Sequence, residues 1–334
     1  MNLQQLVNKI YILYHPIETQ REARFLHKKG LVVGILILML SVNIGSTFAG
    51  DIDIKSISPT GFDGNTLYVG GSGPNNYTRI QDAIDNATTN NTIYVYPGTY
   101  MENILLDKTL TLMGDEKLTT IIDGGGQYDV IHIRPMAHRV TITGFTIQNS
   151  GSVVGAGFDV GLEIHSHNNI ITNKIFTHHF NMAIELFSSN SNMITYNLFN
   201  TINRTGLGIM SSCDNLVSKN TFTNIGEKCI LLDFMGNSSS NEISYNIFSG
   251  NFKGIITLQS ENIIHHNDFI NNTNHAQAHY NIIRLKKSRN QWYENYWDDW
   301  RGYGPKYING FLGLFNLNFD WNPASEPNNQ GGVL

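Results

Sequence analysis

The stretch Asn192-Met-Ile-Thr-Tyr-Asn197-Leu-Phe199 decides the fold, because its pattern of Asn-x-apolar-x-x-Asn-x-apolar returns five more times along the chain. Upstream stands Asn168-Asn-Ile-Ile-Thr-Asn173-Lys-Ile175. Downstream come Asn215-Leu-Val-Ser-Lys-Asn220-Thr-Phe222, Asn241-Glu-Ile-Ser-Tyr-Asn246-Ile-Phe248, Asn262-Ile-Ile-His-His-Asn267-Asp-Phe269 and Asn290-Gln-Trp-Tyr-Glu-Asn295-Tyr-Trp297. Successive first asparagines are 24, 23, 26, 21 and 28 residues apart, too variable for a repeat of helical hairpins. Turn formers interrupt the chain every few positions, so short β segments are the better reading. The third and eighth positions of each unit are apolar: Ile170, Ile194, Val217, Ile243, Ile264 and Trp292, then Ile175, Phe199, Phe222, Phe248, Phe269 and Trp297. A second apolar stretch recurs as Leu162-Glu-Ile164, Ile184-Glu-Leu186, Ile230-Leu-Leu232, Ile256-Thr-Leu258 and Ile283-Arg-Leu285, with the alternation of a strand buried on one face. One such unit cannot bury its apolar face alone, whereas stacked units bury a continuous column. The expected fold is all-β, a parallel β-helix over residues 65–300, with coils about 4.8 Å apart.

Composition agrees. The chain has 334 residues with 41 Asn, 31 Gly and 8 Pro, so a turn former dominates without the proline of a linker and must have a recurring structural place. Stacking supplies it: Asn173, Asn197, Asn220, Asn246, Asn267 and Asn295 should lie above one another and bond amide to amide. Asparagine also tolerates the left-handed backbone that corners need. Solenoid ends expose unpaired strand edges. The amphipathic segment 76–87, with Thr78 as N-cap, reads as a helix that plugs the first coil, and the aromatic segment 301–334 reads as an irregular C-terminal cap and tail.

A net charge of −5, with no basic excess, argues against a nucleic-acid partner. Near the N-terminus, Lys28-Lys29 precede an apolar run ending at Ala49, which reads as a cytoplasmic lead plus a signal cleaved after Ala49 or an uncleaved anchor over residues 31–49, with a linker at 50–64. Either reading places the body outside the cytoplasm, at the cell surface. Six N-x-S/T sequons begin at Asn76, Asn86, Asn90, Asn203, Asn237 and Asn271, as in an exported glycoprotein. Cys213 and Cys229 are too few for a disulfide scaffold or a metal quartet.

The opening Leu67-Tyr-Val-Gly-Gly-Ser-Gly73, Tyr77-Thr-Arg-Ile-Gln-Asp-Ala-Ile84, Thr92-Ile-Tyr-Val-Tyr-Pro-Gly-Thr-Tyr100 and Thr120-Ile-Ile-Asp-Gly124 resembles that of right-handed parallel β-helix proteins of the pectin-lyase-like superfamily. The repeats, with the ending Asn295-Tyr-Trp-Asp-Asp-Trp300, Gly304-Pro-Lys306 and Phe319-Asp-Trp-Asn-Pro-Ala-Ser-Glu-Pro327, resemble NosD-like repeat proteins of archaeal cell surfaces. The resemblance covers residues 65–327 and implies the fold; the name NosD implies copper delivery. The opening is also similar to that of pectin methylesterases, but Phe158-Asp-Val-Gly161 is only a faint echo of their aspartate motif and lacks its partner segments.

Three chemistries remain open. Glu163 and Glu185 hold the same outward position in adjacent coils, about 5 Å apart, where two carboxylates can share a proton, bind calcium or act on a glycosidic bond as a polysaccharide lyase or hydrolase would. Asp159, His165 and His167 make that region the most polar of the early coils. The fifth position of the unit gives a column with Tyr196, Lys219 and Tyr245, which offers rings and a cation to an envelope polysaccharide unless the column points inward. Copper would need two to four converging histidines; His178-His179 and His265-His266 are adjacent on strands and so should point to opposite faces. No metal-ligand set is assigned on that ground. The leading expectation is an exported surface β-helix that is structural or carbohydrate-binding.

Overall fold

The computed structural model describes residues 66–152, 158–233, 237–258, 261–279, 290–310 and 318–329. The apolar run 31–49, the linker 50–64 and the stretch 283–285 lie outside the described residues. Three sheets of 12, 9 and 8 strands form the walls of a parallel β-helix, and neighbours in each sheet come from successive coils. One coil shows the plan: Ile170–Thr172 enters the 12-stranded sheet, Ile175–Thr177 the 9-stranded sheet and Met182–Phe187 the 8-stranded sheet. The one antiparallel pair joins Lys306–Ile308 to Asn318–Asp320 among the described residues, and Asn318–Asp320 also pairs in parallel with Gln291–Tyr293.

The inward column of the 9-stranded sheet is a stack of rings: Phe176, Phe199, Phe222, Phe248, Phe269 and Trp297, with centroids 4.2–5.2 Å apart. Ile171, Ile194, Val217, Ile243 and Ile264 line the 12-stranded wall, and Leu162, Ile184, Leu207, Ile230 and Ile255 the 8-stranded wall, all fully buried. The first unit is therefore shifted by one from the sequence alignment. Ile170 and Ile175 point outward, and Ile171 and Phe176 take the core places. A one-residue slip exchanges the faces of a strand, and the Asn168-Asn169 doublet allowed it. The same slip occurs at Ile256, where Ile255 faces the core and Ile256 faces out beside Leu231.

Asparagine ladders run along the corners. In one, Asn197 donates to Asn220, Asn220 to Asn246, Asn246 to Asn267 and Asn267 to Asn295, each amide bond 2.9–3.0 Å. Asp320 ends it, accepting from Asn295 Nδ2 at 3.0 Å and from Trp297 Nε1 at 3.1 Å. A second ladder runs Asn169, Asn192, Asn215, Asn241, Asn262, Asn290. Asn173 is not a rung: the fully buried Lys174 stands there, its backbone N–H bonded to Asn197 Oδ1 and its ammonium 5.6 Å from the Phe145 ring. Nor do the rungs adopt the left-handed conformation. The residue before each rung does: Tyr196, Lys219, Tyr245, His266 and Glu294 in the first ladder have φ between 52° and 58°. One position bends the chain, and the next sends its amide inward.

At the N-terminal end, the helix Ile80–Asn86 buries Ile80, Ala83 and Ile84. Arg79 is its N-cap, in place of Thr78, and the free helical N–H groups of Ile80 and Gln81 are met by the Glu102 carboxylate at 2.8 and 3.0 Å. A carboxylate from another coil suits the positive end of the helix. Cys213 and Cys229 are free thiols.

Phe222 is fully buried between Phe199 and Phe248. Phe222→Ala is expected to destabilise the fold by about 3–5 kcal/mol in reversible denaturation. A loss under about 1 kcal/mol would contradict its place in the stack.

Candidate functional site

The outer face of the 8-stranded sheet carries a polar cluster. Glu163 sits in Val160–Ile164, in register with Glu185 of Met182–Phe187 on one side and with His132 of Ile131–Ile133 on the other. His132 Nδ1 lies 2.7 Å from Glu163 Oε2, and His165 Nε2 lies 2.8 Å from Glu163 Oε1. The two imidazoles stack with centroids 5.2 Å apart and planes 15° apart, and Phe187 packs on His165 at 5.4 Å. Asp129 stands 3.5 Å from His132 Nδ1 and accepts from the backbone N–H of Val160 at 2.8 Å.

This arrangement splits the electrostatics of the two glutamates. Burial works against ionisation of Glu163, but hydrogen bonds from His132, His165 and Asp129 outweigh it and hold the carboxyl well below the usual range. Glu185 has no such donors among the causes acting on it. Burial, and then the negative charge of Glu163, push it up to about 7. Its neighbours explain the burial: Gly208 follows it in register, and a Cβ there would stand 3.0 Å from Met182 Sδ and 3.0 Å from Met210 Cε. Those methionines belong to an apolar patch with Val160, Leu231 and Ile256. His132 is raised to about 9 by its bonds to Asp129 and Glu163.

Of the residues expected nearby, His165 joins the cluster. His167 does not; it stacks on His138 at 5.2 Å and accepts from the Asn190 N–H. Asp159 lies against Gly151. Sequence reasoning missed His132 and Asp129, because their coil lacks the asparagine repeat. Ile131-His-Ile133 nonetheless has the same apolar-polar-apolar alternation as Leu162-Glu-Ile164 and was the available signal.

Tyr196, Lys219 and Tyr245 do line one outer corner, in successive coils. Lys219 Nζ lies over the Tyr196 ring at 5.1 Å and donates to its hydroxyl at 2.8 Å, while Tyr245 stacks on His266 at 4.8 Å. The histidine doublets depart from expectation. His178 and His266 are left-handed corner residues, not strand residues, so the period-two rule does not govern them. His179 is fully buried, bonded to Ile147 O and Ser150, whereas the Nδ1 atoms of His265 and His266 meet at 2.7 Å.

Among the described residues, two groups bring three metal-ligating side chains within 4.8 Å of one another: His132, Glu163 and His165, and His275, Asp298 and Asp299. In the second group Lys306 already holds Asp299 at 2.6 Å, and the Asn271 N–H holds Asp298 at 2.6 Å. The first combines two imidazole nitrogens with a carboxylate, a donor set suited to copper or zinc.

The family described as periplasmic copper-binding protein (NosD) matches residues 84–302. Two catalytic domains of α-1,3-glucanases of family GH87 are similar in structure: one, bound to tetrasaccharides, has TM-score 0.52 at 12% identity over 84% of this chain and 46% of that chain, and one, bound to nigerose, has TM-score 0.51 at 13% identity over 76% and 43%. Pectin methylesterase from carrot aligns with TM-score 0.49 at 11% identity over 80% and 90%. The chain thus spans under half the length of the glucanase domains, and the likeness is one of fold. No curated protein matches it.

A histidine whose folded pKa is raised adds stability that is complete below its unfolded value of 6.5 and is lost as pH rises through about 9. Glu163 has the opposite sign, adding stability above its unfolded value of 4.5 that is lost on acidification. Imidazole NMR titration should find His132 near 9, and Glu163→Gln should bring it down. An unchanged His132 titration in that variant would show that Glu163 is not its partner.

Proposed function

This chain belongs to the NosD family, described as periplasmic copper-binding proteins, and from that premise we propose that it binds copper outside the cytoplasm through His132, Glu163 and His165 on the side of the solenoid. The observation that carries the reading is the convergence of three donors from adjacent coils within 4.8 Å. Copper held there would be a redox-active ion or a cargo. The residues themselves supply two nitrogens and a carboxylate, and a metal ion competes with protons for these donor atoms. Export belongs to this proposal and rests on the apolar run at 31–49 with its Lys28-Lys29 flank; among the described residues no helix is long and apolar enough to cross a membrane.

A second reading uses the same wall for an envelope polysaccharide. Glu163 held ionised beside Glu185 raised to about 7 is the division between base and acid that glycosidic cleavage requires, and it favours the hydrolase or lyase alternative. Tyr196, Lys219 and Tyr245 lie on the corner between the 12-stranded and 9-stranded sheets, away from that wall, so in this reading they would hold sugar at a separate place, each coil adding a side chain about every 4.8 Å.

One set of proteins tests both. Copper(II) titration of the wild type and of His132→Ala/His165→Ala should show the variant losing a bound equivalent; equal uptake would overturn the copper reading. The same wild type and Glu185→Gln, incubated with acidic and neutral polysaccharides, report on cleavage. Product formed by the wild type and lost in Glu185→Gln supports the second reading, and absence of both binding and product removes it.

A further inference from the structure

Another pair of imidazoles lies on the corner between the 12-stranded and 9-stranded sheets, several coils from His132. His265 ends the strand Ile263–His265, and His266 is the left-handed corner residue after it, with φ of 52°. That bend turns both rings to the same side and places their Nδ1 atoms 2.7 Å apart. Rings from the flanking coils hold them: His266 stacks on Tyr245 with centroids 4.8 Å apart, and His265 stacks on Tyr293 at 4.8 Å with planes 5° apart. The far nitrogens are also engaged, His265 Nε2 lying 3.3 Å from Glu242 Oε1 and His266 Nε2 2.7 Å from Glu294 Oε2.

A carboxylate oxygen beside each Nε2 can accept a hydrogen bond from it. An imidazole that donates from Nε2 can offer its Nδ1 to a ligand ion, and here the two Nδ1 atoms stand 2.7 Å apart with the ring planes at 83°. At that separation the two nitrogens can share a proton as a hydrogen bond, or a metal ion beside them. An imidazole whose remote N–H is held by a carboxylate is the arrangement that orients metal-ligating histidines. With metal–nitrogen bonds of about 2.0–2.1 Å, the observed separation subtends roughly 80–85° at the metal. That is near the right angle of a tetragonal copper(II) site and well short of the tetrahedral angle of zinc.

We propose that His265 and His266 form a bidentate copper(II) site through their two Nδ1 atoms, distinct from His132, Glu163 and His165. Glu242 and Glu294 set the tautomers, and Tyr245 and Tyr293 fix the ring planes, so little ordering remains when the ion arrives. Water completes the coordination from the solvent side, as a half-buried position at the outer corner allows.

The test is copper(II) titration of the full chain by calorimetry, with electron paramagnetic resonance of the bound ion. The proteins are the wild type, His132→Ala/His165→Ala, His265→Gln/His266→Asn and the fourfold variant. Asparagine is chosen at 266 because it tolerates the left-handed conformation. His265→Gln/His266→Asn should lose one copper equivalent with its nitrogen-coupled signal, and His132→Ala/His165→Ala should keep that signal. Should the double substitution at 265 and 266 unfold the chain, Glu294→Gln leaves both ligands in place and should weaken this site about 10–100-fold. Wild-type uptake in His265→Gln/His266→Asn, or unchanged affinity in Glu294→Gln, overturns the proposal and assigns the gap to a shared proton. Failure of the His132 site instead appears as undiminished uptake in His132→Ala/His165→Ala, a separate result.

Discussion

The structure depends on the amide-to-amide hydrogen bond between equivalent asparagines in successive coils. In the ladder from Asn197 to Asn295 each rung gives one side-chain N–H to the next member and the other to a backbone carbonyl of the preceding coil, while the oxygen of the next rung also accepts a backbone N–H. A buried amide is costly unless its donors and acceptors are met, and here they are met by copies of itself. Only a side chain that both donates and accepts propagates the pattern. That is why the ladder can end in Asp320, which accepts from Asn295 and Trp297 and, among the described residues, passes the pattern to no further rung.

Fixed corners leave the rest of each coil free. Loop lengths vary, yet the strands return to register, so residues far apart in sequence become lateral neighbours. His132, Glu163 and Glu185 meet in this way on one wall, and Tyr245, His266 and Tyr293 at one corner. The polar cluster at Glu163 holds its charge because two imidazoles supply hydrogen bonds that burial alone would not offset. One coil further, Gly208 lets Met182 and Met210 close over the wall, and the same glutamate chemistry at Glu185 turns toward the neutral acid.

Much of the fold was legible because the core residues repeat with the asparagines: Ile194, Val217, Phe199 and Phe222 fall where the pattern puts them. The register of the first unit was not, since Asn168 and Asn173 match both asparagine positions of the pattern, whereas three-dimensional stacking starts the unit at Asn169 and puts Lys174 in the place of the second rung. The site was half legible. Alternation identified Glu163 and Glu185 as outward neighbours, but His132 belongs to an earlier coil without rungs, and no motif tied it to them. His265 and His266 escape strand periodicity for a definite reason: His266 lies one residue past the end of the strand, in a left-handed corner where the period of two does not hold.

If the ladder holds lateral columns in register, side chains contributed by adjacent coils, such as those of the proposed copper site, stay together on the side of the solenoid. Anomalous diffraction at the copper edge from copper-soaked crystals tests this most directly. The account expects a peak within bonding distance of His132, Glu163 and His165. Copper-loaded crystals with no peak there, and with the ion bound instead at either end of the stack, would contradict it.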